Sequence, residues 1–177
     1  MNNIELAITQ FDQYLLTKGL AFECCIIGGA ALSVLKVTNR FTRDVDCLIE
    51  NIPEEIKTAV INFAKENPDL NLAKDWLNNG PAQLIKNLPD GWQSRLQPAF
   101  GGNQLKLTTL GRADLLKTKL FAYCDRTDPD YGDLLKLNPT RDELSDAITW
   151  VKHQDANPSW PDNVERLFLN LKQAIHG

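Results

Sequence analysis

Asp44 and Asp46 stand two residues apart in "TRDVDCLIE", a stretch otherwise made largely of apolar residues. Aspartate is disfavoured in strands, because its side chain competes for backbone groups and suits turns better. Two of them in one short strand mark a place where carboxylates have a use. Alternate side chains of a strand face one way, so Asp44 and Asp46 share a side while Val45 and Cys47 share the other. Two residues of rise separate the attachment points by roughly 6–7 Å. Carboxylates leaning together across that gap can bind one cation jointly or flank two. Mg²⁺ commonly takes one or two protein carboxylates and fills its remaining positions with water and phosphate oxygens. The competing reading of a bare D-x-D spacing is a strand edge with two solvated acids.

The elements that must position this pair come just before it. "AFECCII" (21–27) reads as a strand that ends at Gly28-Gly29, and "AALSVLK" reads as a short helix. Backbone N–H groups at such a turn can face an anion, and glycines let a phosphate approach closely, although glycines also serve simply to turn a chain. Neither G-x-x-x-x-G-K-[ST] nor G-x-G-x-x-G is matched, which excludes P-loop and Rossmann readings. A phosphate cradle and a metal pair therefore fall within one strand–helix–strand unit.

Around that unit, an amphipathic helix is expected over 3–18 with Gly19 as its stop, and another opens at Pro53. Residues 67–92 carry a weak signal of short helices and turns with aromatic anchors. Two strands within 95–110 are joined through Gly101-Gly102-Asn103. Helices follow at about 112–125 and 130–137. Thr140 and Glu143 form a capping-box pattern opening a third helix, and a last one spans about 161–175. The expected fold class is α/β (α+β), with an α/β core over 1–110 and a helical C-terminal part over 111–177 packed on it.

Arg112, Lys119 and Arg126 recur every seven residues, which drifts only about 20° per step on a straight helix. They make a basic stripe with Tyr123 between the last two. Such a stripe can grip triphosphate oxygens; a solvated helix face is the plainer alternative.

The totals restrict the function classes. The chain has 177 residues, 43% of them apolar, enough for a core without disulfide or metal support. No apolar run approaches a membrane span, and "MNNIELAITQ" lacks the pattern of a signal peptide, so a soluble cytoplasmic protein is expected. The four cysteines form no C-x-x-C pair and read as free thiols. With only His153 and His176, a histidine-rich zinc site or a Ser-His-Asp or Cys-His catalytic pair has little to build on. A net charge of −4 argues against bulk attraction to nucleic acid while leaving room for a local basic pocket.

"GGAAL" followed by "RFTRDVD" resembles the signature of the nucleotidyltransferase fold superfamily, and R-x-T-x-D-x-D (Arg40, Thr42, Asp44, Asp46) is similar to the branch of AbiEii-like toxins and uncharacterised bacterial relatives. "KTKLFAYCDRTDPDYGDLLKL" resembles the later motif of that branch, which falls on Lys119, Arg126, Asp130 and Asp133. "DWLNNGP" and "NPSWP" are similar to segments of uncharacterised members. The resemblance implies a nucleotidyltransferase-type mixed sheet with flanking helices and a helical C-terminal segment. It implies a catalytic, metal-binding pair Asp44 and Asp46 holding Mg²⁺ or Mn²⁺, with a nucleoside triphosphate as substrate. Gly28, Gly29, Ser33, Arg40, Thr42, Arg43, Lys119 and Arg126 would contact nucleotide or phosphate, with Asp130 and Asp133 supporting.

The nucleoside monophosphate would pass to a hydroxyl on an acceptor, RNA or protein, and an antitoxin-like partner belongs to the toxin–antitoxin reading. Many superfamily enzymes carry a third carboxylate on a later strand, whereas "QLKLTTL" and "RLQPAF" contain none. Either the pair suffices, or another acid such as Asp114 reaches in, or activity has been lost. An inactive binding component of a toxin–antitoxin or regulatory system is therefore the alternative, and a small-molecule, aminoglycoside-type adenylyltransferase the third.

Overall fold

The computed structural model describes residues 3–39, 42–126 and 130–176. Two compact units divide the chain, Met1–Leu110 and Gly111–Gly177.

The first unit opens with α1 (Asn3–Lys18), which buries Ile4, Ala7, Ile8, Phe11 and Leu15 along one stripe. Its end is closed by Gly19 at φ +64, with Gly19 N–H donating to Leu16 O and Leu20 N–H to Leu15 O. Those two bonds satisfy last-turn carbonyls through a left-handed residue that glycine adopts without strain. β1 (Phe22–Ile27) follows, then α2 (Gly28–Val34), β2 (Val45–Cys47) and α3 (Glu54–Glu66). β3 (Leu77–Asn78) is only two residues long, and β4 (Gln97–Gly101) and β5 (Leu105–Thr109) form the hairpin.

The five strands make one mixed sheet in the order β3-β2-β1-β5-β4. β1 runs antiparallel to β2 and parallel to β5, while β2 runs parallel to β3. Pro98, which has no N–H to give a ladder, sits on the edge strand β4 beside a register irregularity. One sheet face supplies Phe22, Cys24, Ile26, Val45, Cys47, Leu105 and Leu107 to a single hydrophobic cluster with α1 and with Ile56, Val60 and Phe63 of α3. Trp76, just before β3, is fully buried there, its ring 5.3 Å from Phe11 and 5.8 Å from Phe63 between centroids. The opposite face carries the alternate residues, Asp46 among them.

The second unit is helical: α4 (Arg112–Arg126), α5 (Asp130–Leu137), α6 (Arg141–Val151) and α7 (Trp160–His176). Thr140 caps α6 with both bonds of the expected capping box, the reciprocal one from Glu143. Trp160 donates its indole N–H to Val151 O at 2.8 Å and packs on Phe121. Among the described residues, no helix is long and apolar enough to cross a membrane. The expected α/β class, mixed sheet and helical C-terminal segment are what the chain adopts.

Candidate active site

β1 ends at Ile27, whose register partner on β2 is Asp46. Directly opposite residues of an antiparallel pair point to the same side, so Asp46 lies beside the last residue of β1. The chain then turns through Gly28 at φ +73. A Cβ at Gly28 would lie 2.8 Å from Asp46 Oδ2, closer than real contacts allow. Glycine is thus required twice over, for the backbone sign and for the close approach of the carboxylate. The glycine corner and one acid of the pair are in contact range.

Asp44 immediately precedes β2. Burial from 44 to 47 runs exposed, buried, half-buried, buried, the alternation that sets Asp44 and Asp46 on one side. The buried Thr42 donates its hydroxyl to Asp44 Oδ1 at 3.0 Å. A threonine two residues ahead thus fixes an exposed carboxylate that would otherwise sample its rotamers. On the far side of β2, Asn78 of β3 is the register partner of Asp46, and its Nδ2 stands 3.4 Å from Asp46 Oδ1.

Two hard-oxygen carboxylates on one side of β2, Asp44 exposed and Asp46 half-buried against the glycine corner, suit a cation that keeps part of its shell for water and phosphate. They do not suit a closed protein cage. β5, on the far side of β1, adds no acid: the pairing of Cys25 with Thr108 puts Thr108 and Lys106 on the same sheet face as Asp46. Among the described residues there is no group of three or more His, Cys, Asp or Glu side chains able to hold a metal. Asp114 is buried in the first turn of α4, in the second unit.

The sulfur groups near the corner are not nucleophiles. Burial pushes the Cys25 thiol up to about 12, with the neighbouring Cys24 adding to it. A hydrogen bond with Cys24, at 3.3 Å between sulfurs, and burial hold Cys47 well above the ordinary thiol value. Neutral thiols at physiological pH are poor nucleophiles and poor metal ligands.

The remaining expected residues are distributed as follows. Gly29 continues the corner into α2, and Arg43 is exposed next to Asp44. Ser33 is fully buried and donates to Glu5 Oε1 of α1 at 3.2 Å. Arg40 lies outside the described residues. Lys119 is buried inside the second unit, donating to Asp130 Oδ1 at 2.9 Å and to Asp133 Oδ2 at 2.8 Å. Arg126, largely exposed, donates to the other Asp130 oxygen at 2.8 Å. Burial would raise the Asp130 carboxyl, but Arg126 and Lys119 outweigh it and hold the group below its ordinary value. Arg112, the first cation of the stripe, pairs with Glu143 and donates to Leu137 O. The stripe is therefore two ion-pair sites within the second unit, Arg112 with Glu143, and Lys119 and Arg126 sharing Asp130.

No curated protein and no solved structure shows a significant match to the chain. Residues 5–138, well over half of the sequence, match the family described as nucleotidyltransferase of unknown function (DUF6036), and with the glycine corner and the aspartate pair both inside that span, the chain belongs to this family.

Proposed function

We propose that the protein is a metal-dependent nucleotidyltransferase of the AbiEii-like kind, moving a nucleoside monophosphate from a triphosphate to an acceptor hydroxyl, with RNA as acceptor and a toxin's role beside an antitoxin-like partner in the cytoplasm. The single observation that carries it is the packing of Asp46 Oδ2 against Gly28, which sets a carboxylate of the pair against the glycine corner. Asp44 and Asp46 would hold Mg²⁺ or Mn²⁺. Bound there, the cation would neutralise triphosphate charge and stabilise the charge developing on pyrophosphate.

This chain's residues supply the rest. Thr42 holds Asp44 in one orientation, Gly28 and Gly29 keep the corner free of side chains, and Arg43 contributes positive charge next to Asp44. The acceptor oxygen bonds to the α-phosphorus, the bond to the β-phosphate oxygen breaks, and pyrophosphate leaves with the electron pair while the hydroxyl proton passes to solvent. Lys119 enters as the ion-pair partner of Asp130 and Asp133 rather than as a phosphate ligand, and Arg126, largely exposed, pairs with Asp130 through Nε. A buried ammonium with two carboxylates already in hydrogen-bond range has little left to offer a phosphate.

A second reading, a catalytically weak nucleotidyltransferase fold that works by binding a partner, is favoured by the acid-free face of β5, which holds Thr108 and Lys106. One experiment separates them. Incubation with labelled ATP, GTP, CTP or UTP, Mg²⁺ and total RNA should label RNA, and the Asp44→Asn/Asp46→Asn variant should not. If the wild-type protein labels nothing while a protein co-purifies with it, the binding reading replaces the enzymatic one.

A further inference from the structure

The segment 76–80, "WLNNG", has no part in the mechanism above, yet it places a polar side chain against the acid pair. Trp76 is buried among Phe11 and Phe63, and Val45 N–H donates to Trp76 O at 2.5 Å. That bond begins the parallel pairing of β2 with β3, in which Val45 lies opposite Leu77 and Asp46 opposite Asn78. Ile27, Asp46 and Asn78 therefore form one row across three strands.

The Asn78 amide is oriented by its surroundings. Gly80 N–H lies 2.8 Å from Asn78 Oδ1, and an N–H can only donate, so the atom facing it is the carbonyl oxygen. The amide NH₂ must then point the other way, and it stands 3.4 Å from Asp46 Oδ1. Gly80 makes this possible, because a Cβ there would lie 2.9 Å from Asn78 Oδ1. Asn79 ties the same turn down separately, donating to Glu50 O at 2.8 Å.

The two oxygens of Asp46 are thus distinguished. Oδ1 is on the Asn78 side and Oδ2 is at the Gly28 corner. We infer that Asn78 is a positioning residue of the candidate metal site: its amide fixes the rotation of the Asp46 carboxylate so that Oδ2 is the oxygen presented to a cation at the corner. This rests on the reading of Asp44 and Asp46 as metal ligands. A hydrogen bond of 3.4 Å is long, and such bonds at sites of this kind tighten when charge arrives. Partners that orient a liganding carboxylate are commonly worth 10- to 100-fold in metal affinity.

The test is Mn²⁺ binding followed by electron paramagnetic resonance, together with thermal melting, on wild type, Asn78→Ala and Asn79→Ala. Asn78→Ala should bind Mn²⁺ about tenfold more weakly. Asn79→Ala loosens the same turn without touching Asp46, so it should lower the melting temperature and keep the wild-type Mn²⁺ affinity. Should Asn78→Ala fail to fold, Asn78→Ser carries the same expectation, since its hydroxyl can accept from Gly80 N–H but does not reach Asp46. Wild-type affinity in the Asn78 variant, or equal weakening by both substitutions, overturns the positioning role alone. Failure of the wild-type protein to bind Mn²⁺ overturns the metal reading itself, and the inference with it.

Discussion

Gly28 is the residue where backbone and chemistry are hardest to separate. Its positive φ would cost an alanine about 1–2 kcal/mol on its own, and a methyl group there also strikes Asp46 Oδ2. Gly28→Ala should therefore lower stability by somewhat more than the backbone cost and weaken Mn²⁺ binding at the same time, read by melting and by metal titration. Thr42→Val makes the complementary case. It keeps the buried volume and removes the hydroxyl that holds Asp44 Oδ1. Since Asp44 itself is exposed, stability should change by no more than about 1–2 kcal/mol while the transferase rate falls. Equal rates in Thr42→Val and wild type would show that Asp44 needs no such support.

At the scale of elements, the β4–β5 hairpin is held by a side chain from α1. Asp12, buried, accepts from Gln104 N–H and Leu105 N–H at 2.8 Å each, and a Cβ at Gly102 would sit 2.2 Å from its Oδ1. Burial works to raise the Asp12 carboxyl, yet the N–H groups of Gln104, Leu105 and Asn103 prevail and hold it below its ordinary value. Asp12→Ala should cost on the order of 3 kcal/mol, because it strands backbone donors; Asp12→Asn, which keeps an acceptor, should cost less. Chemical denaturation of the two variants ranks them. The hairpin, the helices and the capping box at Thr140 were legible because each has local signals: alternation, a helical stripe, a turn glycine. β3 was not. Two residues cannot show a period, and Leu77-Asn78 is a strand only because Trp76 is anchored in the core and Val45 pairs with it. The aspartates and Gly28 could be read from spacing; Asn78 could not, since its role comes from a neighbour thirty-two residues away. Asp130 and Asp133 are within reach of the stripe on sequence spacing alone, but the burial of Lys119 between them was hidden, because a cation every seven residues gives no sign of which member the next helix encloses.

For the molecule as a whole, that closed cluster sets how the second unit responds to acid. Asp130 has a depressed native value, so its contribution to stability is complete above the ordinary aspartate value of about 3.9 and is lost as pH falls below it through the native one. Asp12 acts in the same direction in the first unit. Lys119→Met should cost about 3–5 kcal/mol by removing the buried cation that Asp130 and Asp133 share, whereas Lys119→Met/Asp130→Asn/Asp133→Asn should recover much of that loss. Melting curves at neutral pH compare the two, and a triple variant as unstable as the single one would refute the charge argument.

Cys24, Cys25 and Cys47 lie in the first unit and Cys124 in the second, and all four are buried. Burial alone pushes Cys124 to about 12. An alkylating reagent therefore finds nothing to modify until the surrounding structure opens, which turns the chain's own sulfurs into internal clocks. Pulsed modification followed by peptide mass mapping would time the opening of each unit separately in a single unmodified sample. A triphosphate with Mn²⁺, bound at the glycine corner, should slow the first three clocks more than the fourth, and so report occupancy without any turnover being measured.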